Sequence, residues 1–518
     1  MGVVRQELLE MPLRARGARR SSLSLPDGFD AAVLAGFAAL SGWILALYLV
    51  RVVGHDQPWP GTDGIFPGDQ MMYLAWIQDA SRHVLVSNLF VLRPTPHDYL
   101  QPAIVVSAGL VRLGVAPWVA LLAWQPVAVG SVFFAIRALA RRLFVARVSR
   151  RAALVAALFG GSIGTYIFPD FWIGFWSWGY PFALLGLASA IASLLVYAAK
   201  GRTLLAAVLA GLASWMHPWL GEVLLLIFLG AEITMWAGHR RPHLGRLAAV
   251  LLGAALPLAY YAALGHFDPS WRLGRNASMA TFPFSSLAFM LAPLLAPALL
   301  AYRVRPSSFL QAAMLMWPPA AIAVYWLAEQ RLGNTPTHAL LGITVPLAML
   351  AVAGIASLPR PSFVSQRAVA ALATLAVLGV CVPVTISSMK DSQVHVRDTA
   401  GVGSSGWRAL AYLAHDQRAG GVLTGRKLGM MVPDETGRRT YIGNWNWSQP
   451  DPQLRRRLVR ELSAGQMRPG PARAFVRSTG ARFLLAGCGS HRRRLALELR
   501  PLIVSERRFG CASVFVLA

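Results

Sequence analysis

The chain has 518 residues, 55% of them hydrophobic and 14% charged, with a mean hydropathy of +0.49 and a formal net charge of +26. This excludes an ordinary soluble protein and describes a polytopic membrane protein. Lys200, Lys390 and Lys427 are the only lysines, so the positive charge is almost all arginine. It lies between apolar runs and in the C-terminal region, which argues for membrane orientation and contact with anionic headgroups or phosphates, not for nucleic acid.

Taken in order, residues 1–30 carry Arg5, Arg14, Arg16, Arg19 and Arg20 and read as a cytoplasmic tail. No cleavable signal peptide is visible, because the first apolar run, 31–53, reaches full spanning length. It leads to a long outer loop, 54–100. A second span, 117–140, returns to Arg137, Arg141, Arg142, Arg147, Arg150 and Arg151. Further apolar runs alternate between basic turns (Lys200 and Arg202; Arg240, Arg241 and Arg246; Arg303 and Arg305; Arg360 and Arg367) and turns mixing acids with aromatics. The pattern predicts about eleven spans over 31–389, with the N-terminus inside and the C-terminus outside.

Residues 390–518 change character. Short apolar runs at 421–424 and 481–486 predict strands, and 454–463 and 472–478 predict helices, giving a small α/β domain outside the membrane. Of the three cysteines, Cys381 lies in an apolar span, while Cys488 and Cys511 in the tail can pair if it faces an oxidising compartment.

The first outer loop holds the chemistry. From Gly68 to His83 a 3.6-residue repeat places Asp69, Tyr73, Trp76, Ala80 and His83 on one stripe, opposite Met71, Leu74 and Ala75. This predicts a helix lying on the membrane surface and turning a carboxylate, a phenol and an imidazole into one pocket. Asp69 is the candidate general base, since a carboxylate within hydrogen-bond reach can take the proton of an attacking hydroxyl. The competing reading is a helix N-cap, because Gly68 and Asp69 follow Pro67.

Donor or acceptor contacts are expected from Tyr73, Asp79 and His83, and from His217 and Glu222, which stand at an outer helix start where an ionisable group in an apolar zone is costly. Arg272, Arg275, Arg331 and His338 are outer-face groups suited to a lipid-linked phosphate. The aromatic stretch 166–178 reads either as a stacking surface for sugar or as an interfacial belt. Glu232, near the inner end of its span, reads as a snorkelling structural acid.

Several chemistries are excluded. No lysine is followed by Ser or Thr, so there is no P-loop, no His-Glu pair begins an HExxH site, and no CxxC occurs. The run from Gly160 to Gly164 fits G-x-S-x-G but sits in a predicted span, away from any strand-to-helix turn.

With a first span, a long outer loop opening on Gly68, Asp69, Tyr73 and Leu74, about ten further spans and an outer C-terminal domain, the chain resembles the GT-C superfamily of integral membrane glycosyltransferases. The stretches 429–434 and 441–447 also resemble the tails of bacterial members. The resemblance implies inverting transfer of a sugar from a polyprenyl-phosphate donor to an acceptor hydroxyl of a glycan or lipid at the outer face, with Asp69 as base. Many members carry two adjacent acids there, whereas Gln70 follows Asp69 and the next acid is Asp79. No cofactor is implied, no metal ligand is assigned, and a divalent metal stays possible. The Arg-heavy, Ala-rich composition points to a GC-rich bacterium, hence a plasma-membrane protein acting on a cell-envelope glycan. A transporter or flippase of lipid-linked sugars and a non-catalytic envelope assembly protein remain open as alternatives; no repeated pair of half-helices marks the first.

Overall fold

In this computed structural model the described residues are 25–54, 58–63, 67–161, 171–238, 243–275, 281–330, 335–358, scattered positions from 368 to 390, and 402–518. Helix α1 (Gly28–Val53) opens with a capping box in which Asp27 and Asp30 each accept from the other's backbone N–H. There follow α2 (Pro67–His83), α3 (Pro102–Arg112), α4 (Pro117–Leu122), α5 (Trp124–Leu143), α6 (Arg147–Phe159) and the single turn α7 (Ile173–Trp176). The bundle continues with α8 (Pro181–Ala199), α9 (Thr203–Met216), α10 (Pro218–Ala237), α11 (Leu244–Phe267), α12 (Pro269–Arg275), α13 (Phe284–Leu299), α14 (Phe309–Glu329) and α15 (Thr344–Ala356). Proline opens α3, α4, α8 and α10, where its missing N–H costs nothing and its fixed φ suits the first turn.

Among the described residues, eight helical runs are long and apolar enough to cross a membrane. They are α1, α4 with α5, α8, α10, α11, α13 with its 3-10 extension, α14, and α15 with the 3-10 turn before it. Three of the eleven expected spans are not among them. The run at 152–168 gives α6, which stops at Phe159, and the short span ending at Trp215 gives α9, whose 14 residues rise only about 21 Å. The last, 368–388, falls mostly outside the described residues. One core fills the bundle, with Phe133, Leu187, Phe228, Trp317 and Tyr325 buried at its centre.

The C-terminal part adds α16 (Ser404–His415), β1 (Val422–Thr424), α17 (Arg426–Thr436), α18 (Pro452–Ser463), α19 (Pro469–Thr479), β2 (Phe483–Ala486), α20 (Arg492–Glu498), β3 (Ile503–Phe509) and β4 (Ala512–Leu517). Its sheet runs β1-β2-β4-β3, with β1 and β2 parallel (Val422 opposite Phe483) and β4 antiparallel to both its neighbours. Every residue of β4 is buried, because helices cover both faces of the sheet. Cys488 and Cys511 form a disulfide that ties the β3–β4 turn to the segment after β2.

Between these parts lies α2. It is not a surface helix with one face to the lipid: Met71, Leu74, Ala75, Trp76, Ile77 and Ala80 are all buried. One apolar cluster runs from α2 through Leu428, Met431 and Val432 of α17 into Phe483 and Val514 of the sheet. Trp76 sits 5.7 Å from both Trp271 and Trp447, and Trp271 stacks on Tyr99 at 4.6 Å. The loop after α2 is clamped from the tail: Thr440 donates its N–H to Leu89 O at 3.0 Å, and Asn88 Nδ2 donates to Trp447 O at 3.1 Å.

This packing sets a stability test. Trp76→Ala leaves a cavity shared by α2, α12 and the tail and should cost about 3–5 kcal/mol, read as a lowered melting temperature in detergent with protease release of the C-terminal part. Trp236→Ala, on the exposed face of α10, should change stability by under about 0.5 kcal/mol.

Candidate active site

Asp69 is not a helix cap. Helix α2 begins at Pro67, so Asp69 lies within the first turn, where the helix dipole favours a carboxylate. Its two oxygens are held from different directions: Tyr180 donates its hydroxyl to Oδ2 at 2.6 Å, and Asn444 donates Nδ2 to Oδ1 at 2.9 Å. Tyr180 belongs to the bundle, just before α8, and Asn444 to the C-terminal part. The carboxylate therefore marks the seam between them.

Each holder is itself held. Asn444 is 2% exposed; its Oδ1 accepts from Asn446 N–H at 2.9 Å, and its Nδ2 also donates to Gly68 O at 3.1 Å. Tyr180 follows Gly179, which has φ +96° and lies so close to Gln70 that a Cβ there would be 2.3 Å from Nε2. Only glycine meets both demands. Gln70, which follows Asp69, accepts from Asp63 N–H at 2.8 Å and donates Nε2 to Asp63 Oδ1. It organises the backbone beside Asp69. Arg426, at the start of α17, lies within electrostatic reach of Asp69, with Arg456 alongside.

Behind Tyr180 an aromatic floor leads inward. Trp176 lies 4.9 Å from Tyr180, 5.6 Å from His217 and 5.8 Å from His338, ring centre to ring centre. The imidazoles face each other at 5.5 Å, with Trp219 4.5 Å from His338. Nδ1 of His217, Nδ1 of His338 and Nε1 of Trp219 are buried without a hydrogen-bond partner. Buried polar atoms of this kind call for a polar ligand or water. The aromatic stretch is no interfacial belt in its described part: Phe171, Trp172, Trp176 and Trp178 are buried, and Trp178 Nε1 donates to Leu40 O of α1 at 2.6 Å.

No protein-family profile matches the chain, and no curated protein does. Solved structures do. The oligosaccharyltransferase AglB of Archaeoglobus fulgidus, in complex with an inhibitory peptide and a dolichol-phosphate, superposes with a TM-score of 0.55 at 12% identity, over 92% of this chain and 72% of that one. ArnT of Cupriavidus metallidurans, bound to undecaprenyl phosphate, does so with a TM-score of 0.50 at 14% identity, over 94% and 98%. This chain has a GT-C fold.

Within the GT-C fold the expected residues are dispersed. Tyr73 stays near Asp69, its ring 5.0 Å from Phe182, and burial with the Asp69 charge keeps its phenol protonated far above the usual range. His83 shares the stripe but not the pocket and Asp79 lies off the stripe, because fourteen and ten residues of helix separate them from Asp69 by about 21 and 15 Å. Glu222 is half-buried on the first turns of α10, Arg272 is exposed on α12, and Arg331 lies outside the described residues. Glu232 is no snorkelling acid: it is buried and accepts from Tyr197 OH at 2.7 Å. Of the G-x-S-x-G run only Gly160 and Gly161 are described, past the end of α6.

Tyr180, Asn444 and Arg426 are the residues sequence reasoning missed. Tyr180 stands two places past the end of the aromatic stretch, and Asn444 sits inside the 441–447 stretch already singled out, so the signals existed without a role attached.

The seam carries a titratable pair. Gln78 Nε2 donates to Asp434 Oδ1 at 2.8 Å and to its carbonyl at 2.7 Å; burial, then neighbouring Glu435, raises the Asp434 carboxyl well above the usual range, and burial pushes Glu435 up to about 7. The folded chain thus keeps protons that the unfolded chain releases first. Stability should fall as pH rises from about 4.5 to 7, with Glu435 contributing on the order of 3 kcal/mol. Glu435→Gln should raise the melting temperature at pH 7.5 and leave it unchanged near pH 4.5.

Proposed function

We propose that this protein is an inverting membrane glycosyltransferase that moves a sugar from a polyprenyl-phosphate donor to an acceptor hydroxyl of a cell-envelope glycan or lipid, with Asp69 as general base. The observation that carries the reading is the carboxylate of Asp69, fixed at the seam by donors from both the bundle and the C-terminal part. The fold supports it: AglB and ArnT, which share it, are described with dolichol-phosphate and undecaprenyl phosphate.

In the proposed reaction the acceptor oxygen attacks the anomeric carbon from the face opposite the phosphate. Asp69 takes the acceptor's proton, the bond from the anomeric carbon to the phosphate oxygen breaks, and the polyprenyl phosphate leaves with the electron pair, so the configuration inverts. Tyr180 and Asn444 orient the carboxylate so that a remaining lone pair meets the incoming hydroxyl. The growing phosphate charge needs fixed cations. Arg426, within electrostatic reach of Asp69, and neighbouring Arg456 are candidates for that role, as are Arg272 and Arg331 from the sequence. The unpartnered His217 and His338 nitrogens offer hydrogen bonds to sugar or phosphate.

The proposed orientation puts the Asp69 end outside the plasma membrane. The start of α1 and the Arg-rich segment joining α5 and α6 meet at the other end, where Arg137 pairs with Asp30 at 2.7 Å and Arg147 with Asp27 at 2.9 Å, and basic ends stay inside. The Cys488–Cys511 disulfide fits an oxidising outer compartment.

The test is transfer from radiolabelled polyprenyl-phosphate sugars in membranes at matched expression. Asp69→Asn should lose about 10²- to 10⁴-fold in rate, while Tyr180→Phe and Asn444→Ala should each lose roughly tenfold, as positioning residues. Equal transfer by Asp69→Asn would remove Asp69 from the chemistry.

A further inference from the structure

At the far end of α2, three potential ligands converge. Asp79 Oδ1 lies 3.0 Å from His83 Nδ1 and 3.4 Å from His97 Nε2, and all three atoms fall within 4.8 Å of one another. Asp79 and His83 share a helical face at i and i+4, and His97 comes from the loop that folds back after α2. Among the described residues this is the one cluster of its kind. The two imidazoles overlap, with ring centres 3.9 Å apart. Both aim a nitrogen at the same carboxylate oxygen.

We propose that Asp79, His83 and His97 bind a divalent transition-metal ion, zinc by their chemistry, which fastens the loop at 84–100 to α2. Bonds of about 2.0–2.1 Å in a tetrahedral site put ligand atoms about 3.3 Å apart, and the two distances to Oδ1 bracket that value. One carboxylate oxygen with two imidazole nitrogens is a zinc-type set that leaves a fourth position for water.

The carboxylate is already oriented. Its other oxygen, Oδ2, accepts from Ser87 N–H at 2.8 Å and Ser87 Oγ at 3.1 Å, and Arg439 donates to that hydroxyl at 3.1 Å. Such outer contacts commonly fix metal ligands, and Arg439 reaches this carboxylate through the Ser87 hydroxyl on Oδ2. The His83 and His97 side chains are 48% and 34% exposed, which gives an ion access from solvent. Because the site lies about 15 Å along α2 from Asp69, the ion is structural. It braces the loop on which Arg439, Thr440 and Trp447 of the C-terminal part are docked.

The inference is independent of the transferase reading, and its test reads binding and stability. The full chain, purified in detergent without a polyhistidine tag and stripped with chelator, is titrated with Zn²⁺ and separately with Co²⁺. One equivalent should bind at pH 7.5, with visible Co²⁺ absorption of a tetrahedral nitrogen and oxygen site, a rise of several degrees in melting temperature, and release by excess chelator. His97→Gln should weaken binding at least tenfold, and so should Asp79→Asn, which keeps the side-chain shape should the first variant fold poorly. Asp69→Asn should bind as the native chain does. The proposal is overturned if the native chain retains no metal, or if it retains as much with His83 and His97 both changed to Gln.

Discussion

Burial of α2 between the bundle and the C-terminal sheet is the constraint on which the rest depends. Trp76 meets Trp271 from α12 and Trp447 from the tail, and the same helix carries Asp69 one end and Asp79 the other. Because α2 touches apolar neighbours on every side, neither the loop after it nor the tail can shift without opening the cluster. The tyrosine hydroxyl and asparagine amide that hold Asp69 come from 111 and 375 residues away along the chain. Their distances of 2.6 and 2.9 Å are a product of that packing.

Much of the architecture is legible in the sequence. Long apolar runs between basic turns mark the spans, and the expected strands at 421–424 and 481–486 coincide with β1 and β2. The hairpin of β3 and β4 is harder to see: β3, with Ser505, Glu506, Arg507 and Arg508 in its middle, is a polar edge strand whose alternation is broken by a register shift. Fewer helices among the described residues have the full length of a bilayer crossing than the apolar runs suggest, because a run such as α9 gives a helix of only 14 residues.

The candidate site is legible only in part, for a geometric reason. A helical stripe is one-dimensional, so Asp69, Tyr73 and His83 share an azimuth while the rise of the helix sends them to different places. Nor does α2 look buried, since Gln70, Gln78 and Asp79 interrupt its apolar positions, yet each is bonded to Asp63, Asp434 or Ser87. Its polar residues are internal because each has a partner off the helix, 7 residues away for Gln70, 8 for Asp79 and 356 for Gln78. The arginine excess, read from composition as contact with headgroups and phosphates, has a second use in the tail. Arg438 donates to the carbonyls of Leu413, Arg418 and Asp416, Arg439 to those of Asn88 and Arg93, and Arg455 to those of Pro450 and Tyr441. A guanidinium with five donors closes irregular backbone that no strand or helix satisfies.

The division of the Asp69 hydrogen bonds between Tyr180 and Asn444 has a consequence for biogenesis. A ribosome delivers α2 and Tyr180 long before residue 444, so the growing chain holds this carboxylate by one donor alone. The second arrives only after the tail has folded onto α2. Docking of the tail is thus the last step in assembling the site, and a chain cut short between the end of α8 and Asn444 keeps α2 and Tyr180 but leaves Asp69 half-held.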